Sequence, residues 1–180
     1  MKTSRDRKAK WLVPFLLFVG IIIDAALPAI FPGAFIGSTQ IIISHLVLYY
    51  IVTFSFYLRD TKILFYAFIF GLLYESYIAT LLGLYGSLYF LVAYLIVKLR
   101  KFFPKKALIH FMLFIVAITV VDFIVFVFYF ELGLTSVTLT SFLVDRLGPT
   151  LIFNVVLAFL LYLPTKQVLN WLGFEEYIIF

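Results

Sequence analysis

Five polar residues interrupt the apolar stretches of this 180-residue chain: Asp24, His45, Glu75, Asp122 and Asn154. A charge inside a membrane span is costly, so each one invites a functional explanation. Two carboxylates such as Asp24 and Glu75 can divide acid and base work between them. They can equally form a structural pair, and their spacing does not choose between the two. His45 alone reads as a hydrogen-bonded core residue, and Asn154 as a polar contact between helices. Other chemistry is missing. The chain has no cysteine, which excludes disulfides, thiolate chemistry and Cys-ligated metals. His45 and His110 lie far apart and form no metal-ligand spacing. No Ser/His/Asp set, phosphate-binding loop, HExxH or dinucleotide-binding glycine motif occurs. The expectation is a non-enzymatic protein with no catalytic, cofactor-binding or metal-binding residues.

The elements that hold these residues follow from composition. The chain is 65% hydrophobic, 21% aromatic and 13% charged, against ~45–50% apolar and ~25% charged in a soluble domain. A globule of this size cannot hide that much apolar surface. The fold class is therefore an all-α integral membrane protein, a single polytopic domain over residues 1–180. The formal net charge of +5 belongs to residues flanking spans, where it meets anionic headgroups, and does not point to nucleic acid.

Lysine and arginine are confined to Lys2–Lys10, Arg59 and Lys62, Lys98–Lys106, Arg146 and Lys166. Basic clusters beside spans stay cytoplasmic. Each apolar block between them must then cross an even number of times. The blocks give six transmembrane helices as three hairpins, over 11–31, 35–58, 63–78, 83–99, 107–130 and 147–164, with both termini cytoplasmic. Arg146 alone falls on the outer side. The middle block, residues 63–97, fits two full spans or a re-entrant pair. A cleaved signal peptide is the competing reading of the N-terminus. The apolar run continues to about Phe31, and Asp24 and Pro28 spoil the cleavage region, so an uncleaved first helix is expected.

Measured from the basic fences, the five polar residues share a depth. Asp24 follows Lys10 by 14 residues, Glu75 follows Lys62 by 13 and Asp122 follows Lys106 by 16; His45 precedes Arg59 by 14 and Asn154 precedes Lys166 by 12. At ~1.5 Å per residue they lie roughly 18–24 Å from the inner edge. The layer is either a polar cavity or partner-contact surface, with at least two of Asp24, His45 and Glu75 facing a common interior, or a set of acids close enough to the outer interface to reach water. Ala25/Ala29, Ala67/Gly71 and Ala79/Gly83 permit close helix approach. The phenylalanines of the fifth helix read as lipid-facing bulk, and Tyr74, Tyr77, Tyr85 and Tyr89 as an outer aromatic belt or the lining of a pocket. Pro149 and Pro164 are expected to bound or bend the sixth helix.

Two stretches resemble the MreD family of bacterial rod shape-determining proteins. One runs Phe70-Gly-Leu-Leu-Tyr-Glu-Ser-Tyr, Leu82-Gly-Leu-Tyr-Gly-Ser-Leu and Val92-Ala-Tyr-Leu, with Glu75 where the family often has Asp. The other is Arg146-Leu-Gly-Pro-Thr-Leu-Ile-Phe-Asn, followed by Leu160-Leu-Tyr-Leu-Pro. The motif positions are Gly71, Glu75, Gly83, Arg146, Pro149, Asn154 and Pro164. The resemblance implies a membrane scaffold of the cell-elongation machinery. It would pair with the bitopic protein MreC and, through it, with the peptidoglycan synthases of the side wall. That family is in turn similar to the substrate-binding components of energy-coupling vitamin transporters, small six-helix bundles. This supplies an alternative, a transporter component with a closed outward-facing pocket.

Overall fold

The computed structural model describes residues 4–37, 39–58, 62–78 and 83–173. Lys2, Arg59, Ala79 and Leu82 lie outside the described residues. The first helix, α1 (Ser4–Ile30), turns Ala9, Val13, Leu17, Ile21 and Asp24 inward at helical spacing, while Trp11, Phe15, Phe18 and Ile22 face outward. From Trp11 onward both faces are apolar except for Asp24. That is the pattern of a helix whose solvent is lipid, where inside and outside differ in packing and not in polarity. A single turn, α2 (Pro32–Phe35), follows.

The expected helix over 35–58 is only half present. Helix α3 spans Leu46–Tyr57, and the described residues from Ile36 to His45 are non-helical. Ile36 bridges Ile41 in antiparallel sense, and the Gly37 N–H donates to Gln40 O at 2.9 Å. The β-branched run Ile41-Ile42-Ile43 suits extended backbone. At 12 residues α3 is about 18 Å long, too short to cross ~30 Å of hydrocarbon alone. It is buried on nearly every side, with Tyr50 partly open. An all-round apolar helix belongs at the centre of a bundle, and α3 packs against α1, α4 (Lys62–Ile78), α5 (Leu84–Leu99) and α6 (Ala107–Glu131).

Helices α4 and α5 form an antiparallel pair with very close backbones. A Cβ added to Gly71 would lie 2.7 Å from Gly86 Cα and 2.8 Å from Tyr85 O. Beyond α6 come one turn of helix, α7 (Leu139–Ser141), a π-helical turn over Phe142–Leu147, and α8 (Gly148–Trp171). Pro149 is the second residue of α8, directly after the π-helical turn. Of the two effects expected of Pro164, a boundary or a bend, the boundary is absent: α8 runs through it to Trp171. A bundle supplies neighbours that tolerate one lost backbone bond.

Three stretches, Lys8–Ile30, Ala107–Glu131 and Leu139–Trp171, are long and apolar enough to cross a membrane, and the molecule is a helical membrane protein. Several of the basic fences meet at one end of it. Lys8 Nζ lies 4.5 Å from the centre of the Trp171 ring. Lys10, Lys62 and Leu58 line one crevice. Arg100 donates to the carbonyls of Ser55 and Leu58, satisfying the last turn of α3.

Two expectations about aromatic residues need correction. Tyr74, Tyr85 and Tyr89 are not a surface belt: they are buried and pack ring to ring, with centroids 5.2–5.8 Å apart, and only Tyr77 is exposed. The Phe-rich helix α6 is not uniformly lipid-facing. Phe114 and Phe126 are buried, and Phe126 stacks on Phe142 at 4.3 Å, whereas Phe123, Phe128 and Phe130 face outward.

Candidate functional site

A helix begins with N–H groups that have no partner within it. In a bilayer no water replaces that partner, so a helix that starts inside the membrane needs an acceptor from elsewhere. Asp24 supplies one. Its Oδ1 accepts from Leu46 N at 2.9 Å and from the Ser44 hydroxyl at 2.5 Å, and its Oδ2 accepts from Val47 N at 3.0 Å. The carboxylate of α1 thus caps α3, and its charge suits the positive end of that helix.

Glu75 repeats the arrangement one hairpin later. Its Oε2 accepts from Gly83 N at 2.6 Å and its Oε1 from Tyr85 N, so the carboxylate of α4 caps α5. Gly83 holds φ +104°, a conformation that favours glycine. The family-like motif therefore contains a helix, its acid, and the glycine start of the helix that the acid caps. Replacing Glu75 by Leu is expected to strand both N–H groups and cost about 2–6 kcal/mol at ~1–3 kcal/mol per group. Glu75→Gln keeps one amide oxygen and should cost less. Thermal melting of the purified variants reads the order; a Glu75→Leu protein that melts with the wild type would exclude the capping role.

In the non-helical segment before α3, the backbone donors of Ile41, Ile42, Ile43 and His45 also find acceptors. Ile41 N donates to Asp145 O and Ile42 N to Phe35 O, both at 2.8 Å. Ile43 N donates to Thr150 Oγ1 at 3.1 Å and His45 N to Asn154 Oδ1 at 2.8 Å. The Asn154 amide donates in turn to Ile43 O at 2.7 Å and to Thr150 O at 2.8 Å. Asn154 reads the extended backbone as a neighbouring strand would, one donor and one acceptor two residues apart. The Tyr74 hydroxyl donates to Ser44 O at 3.4 Å, linking α4 to the same segment.

His45 and Asp122 complete the layer. His45 Nε2 stands 3.2 Å from Asp122 Oδ1, with both side chains fully buried. The two atoms make no hydrogen bond with each other. His45 Nδ1 and Asp122 Oδ2 have no hydrogen-bond partner among the described residues. Asp24, Asp122 and Asn154 thus surround residues 43–47, His45 among them, and Glu75 caps the next helix. All five are buried within the protein. Nearer the basic end, Thr53 Oγ1 and His110 Nε2 lie 2.8 Å apart, and the Tyr49 hydroxyl donates to Thr165 Oγ1 at 3.0 Å.

Thr150 and Ser44 belong to the layer and are absent from the sequence expectation. Thr150 is one helical turn before Asn154, on the same face, which is a signal that spacing could have given. Ser44 adjoins His45 but carries no charge to draw attention in an apolar run.

The family model described as rod shape-determining protein MreD matches residues 5–172. The chain is similar to the rod shape-determining protein MreD of Bacillus subtilis (strain 168), with 24% identity over 157 residues, covering 87% of this chain and 91% of that protein. No solved structure matches.

Proposed function

The chain belongs to the MreD family of rod shape-determining proteins, and from that membership we propose that it is a non-enzymatic membrane scaffold of the bacterial cell-elongation machinery. Its direct partner in this reading is an MreC-like bitopic protein. Through that complex it acts on side-wall peptidoglycan synthesis and so on cell shape. The observation that carries the reading is the family match over nearly the whole chain.

The helices then cross the cytoplasmic membrane six times, as three hairpins, with both termini cytoplasmic. The convergence of Lys8, Trp171, Lys10, Lys62 and Arg100 at one end supports this orientation. Since the five polar residues are turned inward, they hold the scaffold's shape, and contact with a partner falls to the outward apolar faces and the stretch Glu131–Arg146. On α8, Ile152, Val156, Phe159 and Leu163 form such a face, suited to lipid or to a single helix of a bitopic partner.

The deciding experiment is recovery of the tagged chain in mild detergent from a rod-shaped host. Co-purification of an MreC-like protein in near-stoichiometric amount is expected; its absence, with the chain itself intact, would overturn the reading. Orientation has its own test, helped by the lack of native cysteine. A membrane-impermeant thiol reagent should label Val137→Cys in whole cells and Lys8→Cys only after permeabilisation. The reverse pattern would invert the topology.

A further inference from the structure

The end of the bundle remote from Trp171 contains a cavity of about 520 Å³. That volume lies within the ~300–1,000 Å³ of small-ligand sites. Its rim includes the exposed residues Gln40, Leu134 and Val137, and its depth is formed by buried Val125, Phe126 and Phe142. The lining is mainly apolar, and its cation is Arg146.

Arg146 is brought there by the π-helical turn Phe142–Leu147. Single π turns inside helices often mark functional sites, because the widened backbone redirects side chains and frees carbonyls. Here the Asp145 carbonyl accepts from Ile41 N, so the turn also closes the cavity against the non-helical segment. The Arg146 Nε is buried and has no hydrogen-bond partner among the described residues. An unpaired buried guanidinium N–H is unfavourable, and an anionic acceptor would satisfy it with a charge-assisted bond. The side chain of Asp145 is exposed at the rim, where water and salt screen its charge. A small hydrophilic anion would pair with Arg146 but leave Val125, Phe126 and Phe142 uncovered. A molecule with both an anionic head and an apolar chain matches both parts of the wall.

We propose that this cavity binds the phosphate head of an anionic membrane lipid, with Arg146 pairing the phosphate and the buried phenylalanines covering the start of the apolar body. The cavity shares the stretch Glu131–Arg146 with the partner reading above, but lipid binding is measured on the chain alone, so the two readings fail separately.

Binding of radiolabelled dodecyl phosphate to the full chain in phosphatidylcholine nanodiscs, corrected for empty discs, tests it. Saturable binding is expected, displaced by phosphatidylglycerol placed in the disc. Arg146→Gln should weaken it at least tenfold, and Arg146→Lys, which keeps the charge but not the planar fork, by less. Should Arg146→Gln fail to fold, Val137→Trp fills the cavity from its exposed rim and should also cut binding at least tenfold. Binding unchanged in the variant that folds would overturn the proposal. So would displacement by inorganic phosphate or glucose 6-phosphate as effective as that by phosphatidylglycerol, because the apolar wall would then contribute nothing.

Discussion

Asp24→Ala is expected to destabilise this protein more than any other single polar substitution. Three donors converge on that carboxylate, the Ser44 hydroxyl and the N–H groups of Leu46 and Val47. Alanine leaves the two backbone groups buried with no acceptor and no water within reach. At ~1–3 kcal/mol for each stranded group, the loss is about 2–6 kcal/mol, a large part of the ~5–15 kcal/mol that holds a typical domain together. For a chain of this length the melting temperature should fall by about 10 °C. Asp24→Asn keeps one carbonyl oxygen and should fall between. Asp145→Ala removes an exposed side chain and serves as the control, with no shift expected. The measurement is loss of monodisperse protein on size-exclusion chromatography after stepwise heating in detergent. An Asp24→Ala protein as heat-resistant as the control would show that α3 does not depend on its cap.

Gly71→Ala should be the most damaging of the conservative substitutions. The added Cβ would meet Gly86 Cα at 2.7 Å and Tyr85 O at 2.8 Å, and both are backbone atoms that cannot rotate away. The only relief is separation of α4 from α5. That movement also draws Glu75 away from Gly83 and Tyr85, whose N–H groups it caps. Overpacking alone costs about 1–3 kcal/mol, and a weakened cap adds to it. Gly86→Ala is the informative comparison. Its new methyl meets Leu72 Cδ2 at 2.9 Å and Cγ at 3.0 Å, a side chain that can shift, so its melting temperature should fall less. Because the contact and the cap share one hairpin, Gly71→Ala combined with Glu75→Gln should cost less than the two single losses added together. Strict additivity would separate the two features.

The sequence made part of this site legible. Basic residues mark one end of each apolar block, and counting from them places Asp24, His45, Glu75, Asp122 and Asn154 in one layer. What counting could not supply is what the acids are for. Their partners are backbone N–H groups, which every residue carries and no residue type advertises. Recognising Asp24 as a cap requires knowing that α3 starts at Leu46. The run Ile41-Ile42-Ile43 hides that start, since in lipid an apolar stretch reads as continuing helix. The bonds that hold it extended come from Thr150 and Asn154 in the last helix. Glu75 was nearer to being legible, because Gly83 and the acid eight residues earlier lie in one short motif. The tyrosines are hard to read for a related reason: tyrosine suits a headgroup belt, a pocket lining and a packed interior, and the close approach of α4 to α5 decides for the interior, with Tyr85 also lining the outer cavity.

The bonds from Asn154 to residues 43–45 also bear on how the protein is made. Asn154 follows His45 by 109 residues, which at ~5–20 residues per second is roughly 5–20 seconds of synthesis. Throughout that interval the ribosome has delivered a stretch of open backbone whose permanent acceptors do not yet exist. The first hairpin therefore cannot be finished when it is born. Premature termination before Thr150 leaves the earliest part of the chain unfinished, so the last helix to emerge completes the first hairpin.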